Sequence, residues 1–262
     1  MTISFVGAGP GAVDLITLRG AQRLATADIV IWAASLVPEI LLQHCREDVV
    51  FHDSKSMTLE QVCAVYEANP EASIVRLHSG DTSVYSAIAE QIDWCRRNNR
   101  GFEVVPGVTS MSAAAAAVGC ELTVPGVAQT VVMTRMAKRT SASMPANESL
   151  AGAVGAGGTL ALFLSIGHVG ALVAELIDGP TRLPADTPVV AAHRVSWPDE
   201  TIVRTTLAEL PAEMDAAGFK AATMLLIGPA LAEAAPPLRS HVYAASYTTR
   251  FRSGTASPSS DA

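Results

Sequence analysis

Residues 3–12, ISFVGAGPGA, are the stretch that decides the fold. Residues 3–6 form a short β-type run, residues 7–11 a glycine turn, and residues 14–26 carry leucines at helical spacing. A strand, a glycine turn and a helix in this order are typical of an α/β protein that binds a ligand at the turn.

The alternation of strands and helices continues through the first half of the chain. Strand-like runs lie at residues 29–34, 73–78 and 102–105. A capping-box sequence predicts a helix over residues 58–66, and a second helix is predicted over residues 84–97. This alternation predicts a largely parallel sheet with helices on its faces.

The pattern changes near residues 122–129, where Pro125-Gly126 interrupts it, and we place a lobe boundary there. Residues 141–158 are rich in Ser, Ala and Gly and are predicted to form a mobile loop with a short helix. Short strands are predicted at residues 130–134, 159–165, 189–195, 201–205 and 222–227. The expected organisation is therefore an N-terminal lobe of residues 1–122, a C-terminal lobe of residues 123–245 and a disordered tail of residues 246–262.

Composition excludes several classes of protein. Lys and Arg number 18 and Asp and Glu 25, so the net charge of −7 disfavours a nucleic-acid groove. The four cysteines form no C-x-x-C pair, which argues against a zinc knuckle or a redox motif, and no bound metal is expected. There is neither a signal-peptide pattern nor an apolar stretch of membrane-spanning length, so we expect a soluble, cytoplasmic protein that does not associate with a membrane.

Three turns of the same type each follow a predicted strand. After the first turn come Gly80-Asp81 and then Pro106-Gly107, which is followed by Thr109 and Ser110. Ligands of open α/β sheets bind beyond the carboxyl ends of the strands, where a glycine admits a ligand and polar side chains contact it. Asp81 and Thr109 are alternatively N-caps of the helices that follow them. Three turns at one sheet edge favour a shared pocket.

The first turn also satisfies a dinucleotide fingerprint, with Gly7, Gly9 and Ala12 at the required spacing. An NAD-dependent oxidoreductase is therefore an alternative. Two features disfavour it: Pro10 has no amide to donate to a pyrophosphate, and the second strand does not end in Asp or Glu.

Residues 6–18, 76–81 and 105–110 together resemble the tetrapyrrole methylases, and the resemblance extends from residue 3 to about residue 228. Residues 32–39, 56–60, 122–130 and 196–200 resemble the branch of that family that methylates corrin precursors at C-11. The chain departs from the family pattern at Thr82, where proline is usual, and at Ala12-Val13, where a polar residue is usual.

The resemblance implies a fold and a ligand set. The fold is a homodimer of two α/β lobes, the first mostly parallel and the second with a mixed sheet. S-adenosylmethionine lies in the cleft between the lobes and the tetrapyrrole in a trough of the first lobe. The implied cofactor-binding residues are Pro10, Gly80, Asp81, Val84, Thr109, Ser110, Leu164, Ala192 and Met224.

The implied reaction is methylation of precorrin-4 at C-11 in cobalamin biosynthesis. Transient hand-over with neighbouring enzymes of the corrin pathway is a separate expectation about partners. Cobalt-precorrin-4, another tetrapyrrole carbon, or tetrapyrrole binding without turnover are the alternatives. A sulfonium methyl group is already electrophilic, so the protein must chiefly align the attacking carbon.

Two sets of side chains are candidates for contact with the substrate. Asp81, His78 and Tyr85 are candidates for accepting the proton that the methylated product loses. Basic side chains are expected to bind the substrate's carboxylates, and the candidates are Arg76, Arg135, Lys138, Arg139 and Arg194. Trp32 and Trp197 either stack on the macrocycle or pack in the core.

Overall fold

A computed structural model describes residues 1–136, 144–145, 148–233 and 240–255. The chain divides into two compact units. The first comprises Met1–Gly119, Ala191–Val203 and Phe219–Met224, and the second comprises Cys120–Val190, Arg204–Gly218 and Leu225–Ala262. Segments far apart in sequence therefore belong to the first unit, and this brings residues 191–203 into the same compact body as the first glycine turn.

The first sheet has five strands in the order β3-β2-β4-β1-β5, and all its pairs are parallel. The strands are β1 (Thr2–Gly7), β2 (Ile29–Trp32), β3 (Val50–Asp53), β4 (Ile74–His78) and β5 (Gly101–Val105). The helices of this part of the chain are α1 (Leu18–Ala25), α2 (Leu59–Ala68), α3 (Ala89–Arg97) and α4 (Ser110–Ala117). The parallel sheet predicted from the alternation is confirmed.

Both faces of this sheet are buried, as a parallel sheet covered by helices requires. Neighbouring residues of a strand point to opposite faces, so Val6 and Phe5 of β1 enter different hydrophobic clusters. Val6 packs with Leu24 of α1, whereas Phe5 belongs to the cluster that contains Tyr66 of α2 and Cys95 of α3.

Local sequence explains where two helices begin. The capping box of α2 is present: Thr58 accepts from the Gln61 amide at 3.4 Å, and the Gln61 side chain accepts from the Thr58 amide at 2.8 Å. Helix α3 begins at Ala89 rather than at residue 84 as predicted. Tyr85 and Ala87 have φ angles of 52° and 51°, in the left-handed region, which a right-handed helix cannot contain.

The second sheet is mixed, as predicted. Its order is β6-β7-β10-β8-β9; β6 and β7 are parallel, and β7 and β10 are antiparallel. Its strands are β6 (Val131–Arg135), β7 (Thr159–Phe163), β8 (Pro188–His193), β9 (Thr201–Thr206) and β10 (Thr223–Ile227). The helices of the later part of the chain are α5 (Leu150–Gly155), α6 (Val169–Asp178) and α7 (Leu210–Ala217).

Two segments were predicted to be irregular, residues 141–158 and the tail of residues 246–262, and the structure describes part of each. Helix α5 is the short helix expected within residues 141–158, of which 141–143 and 146–147 lie outside the described residues. In the tail, residues 246–255 are described, and Arg252 donates to the carbonyls of Val242 and Ala244 at 2.8 and 2.9 Å. None of the helices in the described ranges combines the length and the apolar character that a membrane crossing needs.

Candidate active site

The three turns meet because strands β4, β1 and β5 are neighbours in the sheet. Gly9 and Gly80 form an antiparallel bridge, with the Gly9 amide 3.1 Å from the Gly80 carbonyl and the Gly80 amide 2.8 Å from the Gly9 carbonyl. The third turn touches both of the others: a Cβ on Gly107 would overlap the Gly80 carbonyl and the backbone of Gly7. Only glycine allows this approach, so the shared edge that the sequence predicts is present.

Asp81 joins the second turn to the third. One carboxylate oxygen accepts from the Gly107 amide at 2.7 Å, and the other accepts from the Ser83 amide at 2.8 Å and from the Ser83 hydroxyl. Burial opposes ionisation of Asp81, but the hydrogen bonds from Ser83 and Gly107 outweigh it and lower the pKa of Asp81. The Asp81 carboxylate is thus charged, and its oxygens already accept hydrogen bonds. It therefore holds the second and third turns together and is a weak proton acceptor.

The third turn leads into helix α4. Thr109 is the N-cap of this helix and accepts from the Ser112 amide at 3.2 Å, so its capping alternative is realised. The Ser110 hydroxyl lies 3.7 Å from the Met224 sulfur. Met224 belongs to the same compact unit, so these two of the predicted cofactor-binding residues are brought together.

The other predicted cofactor-binding residues lie as follows. Val84 is half-buried, and its amide donates to the Asp81 carbonyl at 3.3 Å. Ala192 is buried in β8 within the first unit. Leu164 belongs to the second unit, is 70% exposed and has a φ of 52°.

The first turn is not a pyrophosphate site. A three-residue 3-10 helix, Val13–Leu15, follows the turn, and α1 begins only at Leu18 with Thr17 as its N-cap, so the turn does not lead directly into an α-helix as it does in dinucleotide-binding proteins. The Ala12 amide already donates to the Ser196 hydroxyl at 2.9 Å, and Pro10 has no amide. This geometry argues against the oxidoreductase alternative.

The three candidate bases differ in environment. His78 is 7% exposed, and burial and then the charge of Arg76 lower its pKa to about 3. Its Nε2 is buried without a hydrogen-bond partner among the described residues. Tyr85 is 46% exposed and lies in the left-handed segment that precedes α3. Tyr85 is therefore the one candidate of the three with an accessible side chain.

The predicted basic residues that the structure describes have different surroundings. Arg76 is largely buried, donates to the carbonyls of Ile31 and Leu77 at 3.2 and 3.3 Å, and has its pKa lowered by burial. Arg194 pairs with Asp199 at 2.9 Å and lies 4.0 Å from the Trp197 ring centroid. Arg135 ends β6 in the second unit. Lys138 and Arg139 lie outside the described residues.

The sequence reasoning missed the roles of Ser83 and Ser196, each of which bonds a turn residue. For Ser83 a signal was present, because it lies two residues after Asp81, the spacing of an Asx turn. Ser196 gave no such signal, since its partner Ala12 lies 184 residues away in the sequence. Trp197 donates to the Pro10 carbonyl at 2.9 Å and so lies against the first turn.

With this geometry established, comparison with known proteins defines the class. Residues 2–211 match the family of tetrapyrrole (corrin/porphyrin) methylases. The chain therefore belongs to that family, as its three turns indicate.

Individual relatives narrow the class further. The chain is 40% identical to a precorrin-4 C(11)-methyltransferase of Sinorhizobium sp, covering 96% of this chain and 98% of the relative. It is 39% identical to a cobalt-precorrin-4 C(11)-methyltransferase of Methanocaldococcus jannaschii, covering 87% and 88%. The X-ray structure of a cobalamin biosynthetic enzyme, a cobalt precorrin-4 methyltransferase, matches with a TM-score of 0.84 and 38% identity, covering 88% of this chain and 96% of that one.

Proposed function

We propose that the protein transfers a methyl group from S-adenosylmethionine to C-11 of precorrin-4. The observation that carries the proposal is the convergence of three turns at the carboxyl edge of the first sheet in a tetrapyrrole methylase. The similarity to precorrin-4 C(11)-methyltransferases over almost the whole chain supports the choice of substrate.

The residues at this edge fit the proposed cofactor. Pro10, Val84, Thr109 and Ser110 are uncharged, and the one carboxylate, Asp81, is occupied by its own hydrogen bonds. A sulfonium ion is a cation, and none of these five residues is basic, so their side chains do not repel it. When bound, S-adenosylmethionine supplies an electrophilic methyl group, and these residues together with Gly80, Ala192 and Met224 would hold it.

The task of the chain is then alignment rather than nucleophilic catalysis. Asp81 fixes the second turn to the third, and the glycine bridge fixes the first turn to the second. A rigid edge of this kind lowers the entropy that the reaction would otherwise lose, and good orientation supplies effective molarities of about 10⁵ to 10⁸ M.

Of the candidates Arg76 and Arg194 in the first unit, Arg76 has the environment that better suits a substrate carboxylate. It contacts backbone carbonyls, its Nε is buried without a partner, and it forms no ion pair within the described residues. Arg194 differs in that Asp199 lies 2.9 Å away as an ion-pair partner, although neither Nε makes a hydrogen bond within the described residues. Because an unpaired buried guanidinium is costly, an incoming carboxylate at Arg76 would be favourable.

The decisive experiment is an anaerobic incubation with ¹³C-methyl S-adenosylmethionine, with metal-free precorrin-4 and cobalt-precorrin-4 in parallel. We expect the label at C-11, located by NMR. Label on another carbon, or no label with either substrate, would overturn the assignment.

The cobalt-bearing substrate is the second candidate, because relatives that act on either form are equally similar to this chain. Within the described residues no group of His, Cys, Asp or Glu is arranged to hold a metal ion. The cobalt would then be carried by the substrate, and the two arms of the labelling experiment distinguish the forms.

Three expectations stay predictions: the homodimer that the resemblance implies, the cytoplasmic location expected from the sequence, and hand-over of the product to a neighbouring enzyme. Light scattering after size-exclusion chromatography tests the first, since a dimer of this 27.2 kDa chain has twice its mass.

A further inference from the structure

Residues 194–200, which follow β8 and which we call the Trp197 loop, lie against the first glycine turn. The Trp197 Nε1 donates to the Pro10 carbonyl at 2.9 Å, and the Ser196 hydroxyl accepts from the Ala12 amide at 2.9 Å. The two bonds are made on either side of Gly11. Both partners belong to the first compact unit, so the contact is internal to it.

The Trp197 loop is itself tightly constrained. Arg194 and Ser196 have φ angles of 47° and 67°, a left-handed conformation that non-glycine residues adopt only when their surroundings enforce it. The Ser196 amide donates to the Glu200 carboxylate at 2.6 Å, and Arg194 is held between Asp199 and the Trp197 ring. Backbone strain of this kind persists where surrounding contacts enforce it, and it is concentrated at functional sites.

The indole ring restricts the turn at Gly11. A Cβ built on Gly11 would overlap Cδ1 and Nε1 of Trp197. The φ of Gly11 is not in the left-handed region, so the contact with Trp197, and not backbone conformation, is what requires glycine here. The neighbouring amides are also committed: Ala8 donates to the His78 carbonyl at 2.7 Å and Gly9 to the Gly80 carbonyl.

We propose that Ser196 and Trp197 are positioning residues that lock the Pro10–Ala12 turn in the conformation that binds the cofactor. They act through the turn and take no part in the chemistry. This inference rests on the proposed function, because it assigns to the turn a role in binding S-adenosylmethionine.

The test compares Trp197→Phe, which keeps an aromatic ring but removes the Nε1 donor, and Ser196→Ala, which removes the acceptor for Ala12. Each loses one hydrogen bond of roughly 1 kcal/mol, which corresponds to roughly a fivefold effect. We expect the Kd for S-adenosylhomocysteine, measured by calorimetry, and the KM for S-adenosylmethionine to rise by about that factor in each variant. The kcat at saturating substrates should change by less than about twofold, since the turn is restored once the cofactor is bound.

A second comparison isolates the steric contact. Gly11→Ala should weaken S-adenosylhomocysteine binding more than either single hydrogen-bond variant, and adding Trp197→Ala should restore part of the affinity. The control is Gly170→Ala in α6, where a Cβ meets no atom within 4 Å, and it should leave the Kd unchanged.

The outcomes separate the two proposals. If the unmodified protein binds no S-adenosylhomocysteine, the proposed function and this inference both fall. If the unmodified protein binds S-adenosylhomocysteine and Trp197→Phe, Ser196→Ala and Gly11→Ala bind it equally well, only the positioning role is overturned. The same holds if Gly11→Ala raises the Kd by the same factor in the Trp197→Ala protein as in the protein that keeps Trp197.

Discussion

Glycine lets backbone segments touch at several places in the molecule. Two of these glycine junctions, at Gly107 in the first unit and at Gly158 in the second, differ in the polar groups around them, and only the first has the features of an active site. In the first unit a Cβ on Gly107 would overlap the Gly80 carbonyl; in the second unit a Cβ on Gly158 would overlap the Thr130 carbonyl. The Gly107 amide donates to a buried carboxylate, whereas next to Gly158 the Thr159 amide donates to the Thr130 carbonyl at 2.9 Å. A close approach of two backbone segments at a glycine is thus a packing feature by itself. It indicates a candidate active site only where polar groups such as the Asp81 carboxylate accompany it.

The largest effect is expected from placing a methyl group at each junction. Gly107→Ala and Gly158→Ala should each lower the free energy of unfolding by about 1–3 kcal/mol, because the facing backbone must move. At Gly158 the φ of 80° adds a backbone strain that Gly107 does not have, so Gly158→Ala should be at least as destabilising. Gly107→Ala should in addition lower kcat/KM by about 100-fold, the effect of displacing a binding element by about 1 Å. Urea unfolding and methyl-transfer assays measure the two effects.

The comparison fails if Gly158→Ala lowers kcat/KM as much as Gly107→Ala at equal loss of stability. The two glycines would then affect activity only through folding. Methyl-transfer assays at a temperature well below the Tm of both variants ensure that both are folded, so that a difference in kcat/KM does not reflect unfolding.

Asp81 accepts a hydrogen bond at the Gly107 junction, whereas the bond described at the Gly158 junction is between backbone groups. Removing Asp81 should give the second largest loss of stability. Asp81→Ala should lower the free energy of unfolding by about 1.5–3 kcal/mol, because the Gly107 amide loses a charged partner. Ser83→Ala, which removes one donor to the same carboxylate, serves as the milder matched variant. Urea unfolding of both at pH 7 checks the order, and an equal or larger loss for Ser83→Ala would contradict the bracing role of Asp81.

Much of this site could be predicted from the sequence because the relevant signals are local. The strand, glycine turn and following polar residues all lie within about ten residues of one another, and the parallel order of strands brings the turns to one edge. The beginning of α3 could not be predicted, since residues 84–88 have acceptable helix formers and only the φ angles of Tyr85 and Ala87 exclude a helix.

Contacts between distant parts of the sequence were also beyond prediction. The bond from Trp197 to Pro10 joins residues 187 apart, and no periodicity or spacing encodes such a pair. Arg194 was predicted to bind substrate because it is basic, but its charge is engaged by Asp199 and by the Trp197 ring. Residue type alone does not reveal whether a charge has a partner.

His78 extends the comparison to pH, because a buried titratable side chain lies next to the first junction. Its pKa is lowered to about 3 in the folded protein, below the value of about 6.5 in an unfolded chain. Between these values the unfolded state binds the extra proton, so the free energy of unfolding should fall as pH falls below about 6.5, by up to about 1.4 kcal/mol per pH unit.

His78→Phe should remove that slope, since phenylalanine cannot bind a proton and Phe5 already lies 6.3 Å from the His78 ring. Urea unfolding at pH 5.5 and 7.5 should show a difference of about 1 kcal/mol in the unmodified protein and a smaller difference in the variant. The same slope in both proteins would show that folding does not lower the pKa of His78.

The smallest effect, and the only stabilising one, is expected at a glycine of a third kind. Gly170 lies in α6, and a Cβ there meets no atom within 4 Å. Gly170→Ala should therefore raise the free energy of unfolding by about 0.5–1 kcal/mol, because alanine loses less backbone entropy in a helix. Thermal unfolding should show a higher Tm with unchanged affinity for S-adenosylhomocysteine. If this methyl group destabilised the protein, open space around a glycine would not be enough to make it replaceable. The distinction between Gly170 and the closely packed Gly107 and Gly158 would then fail.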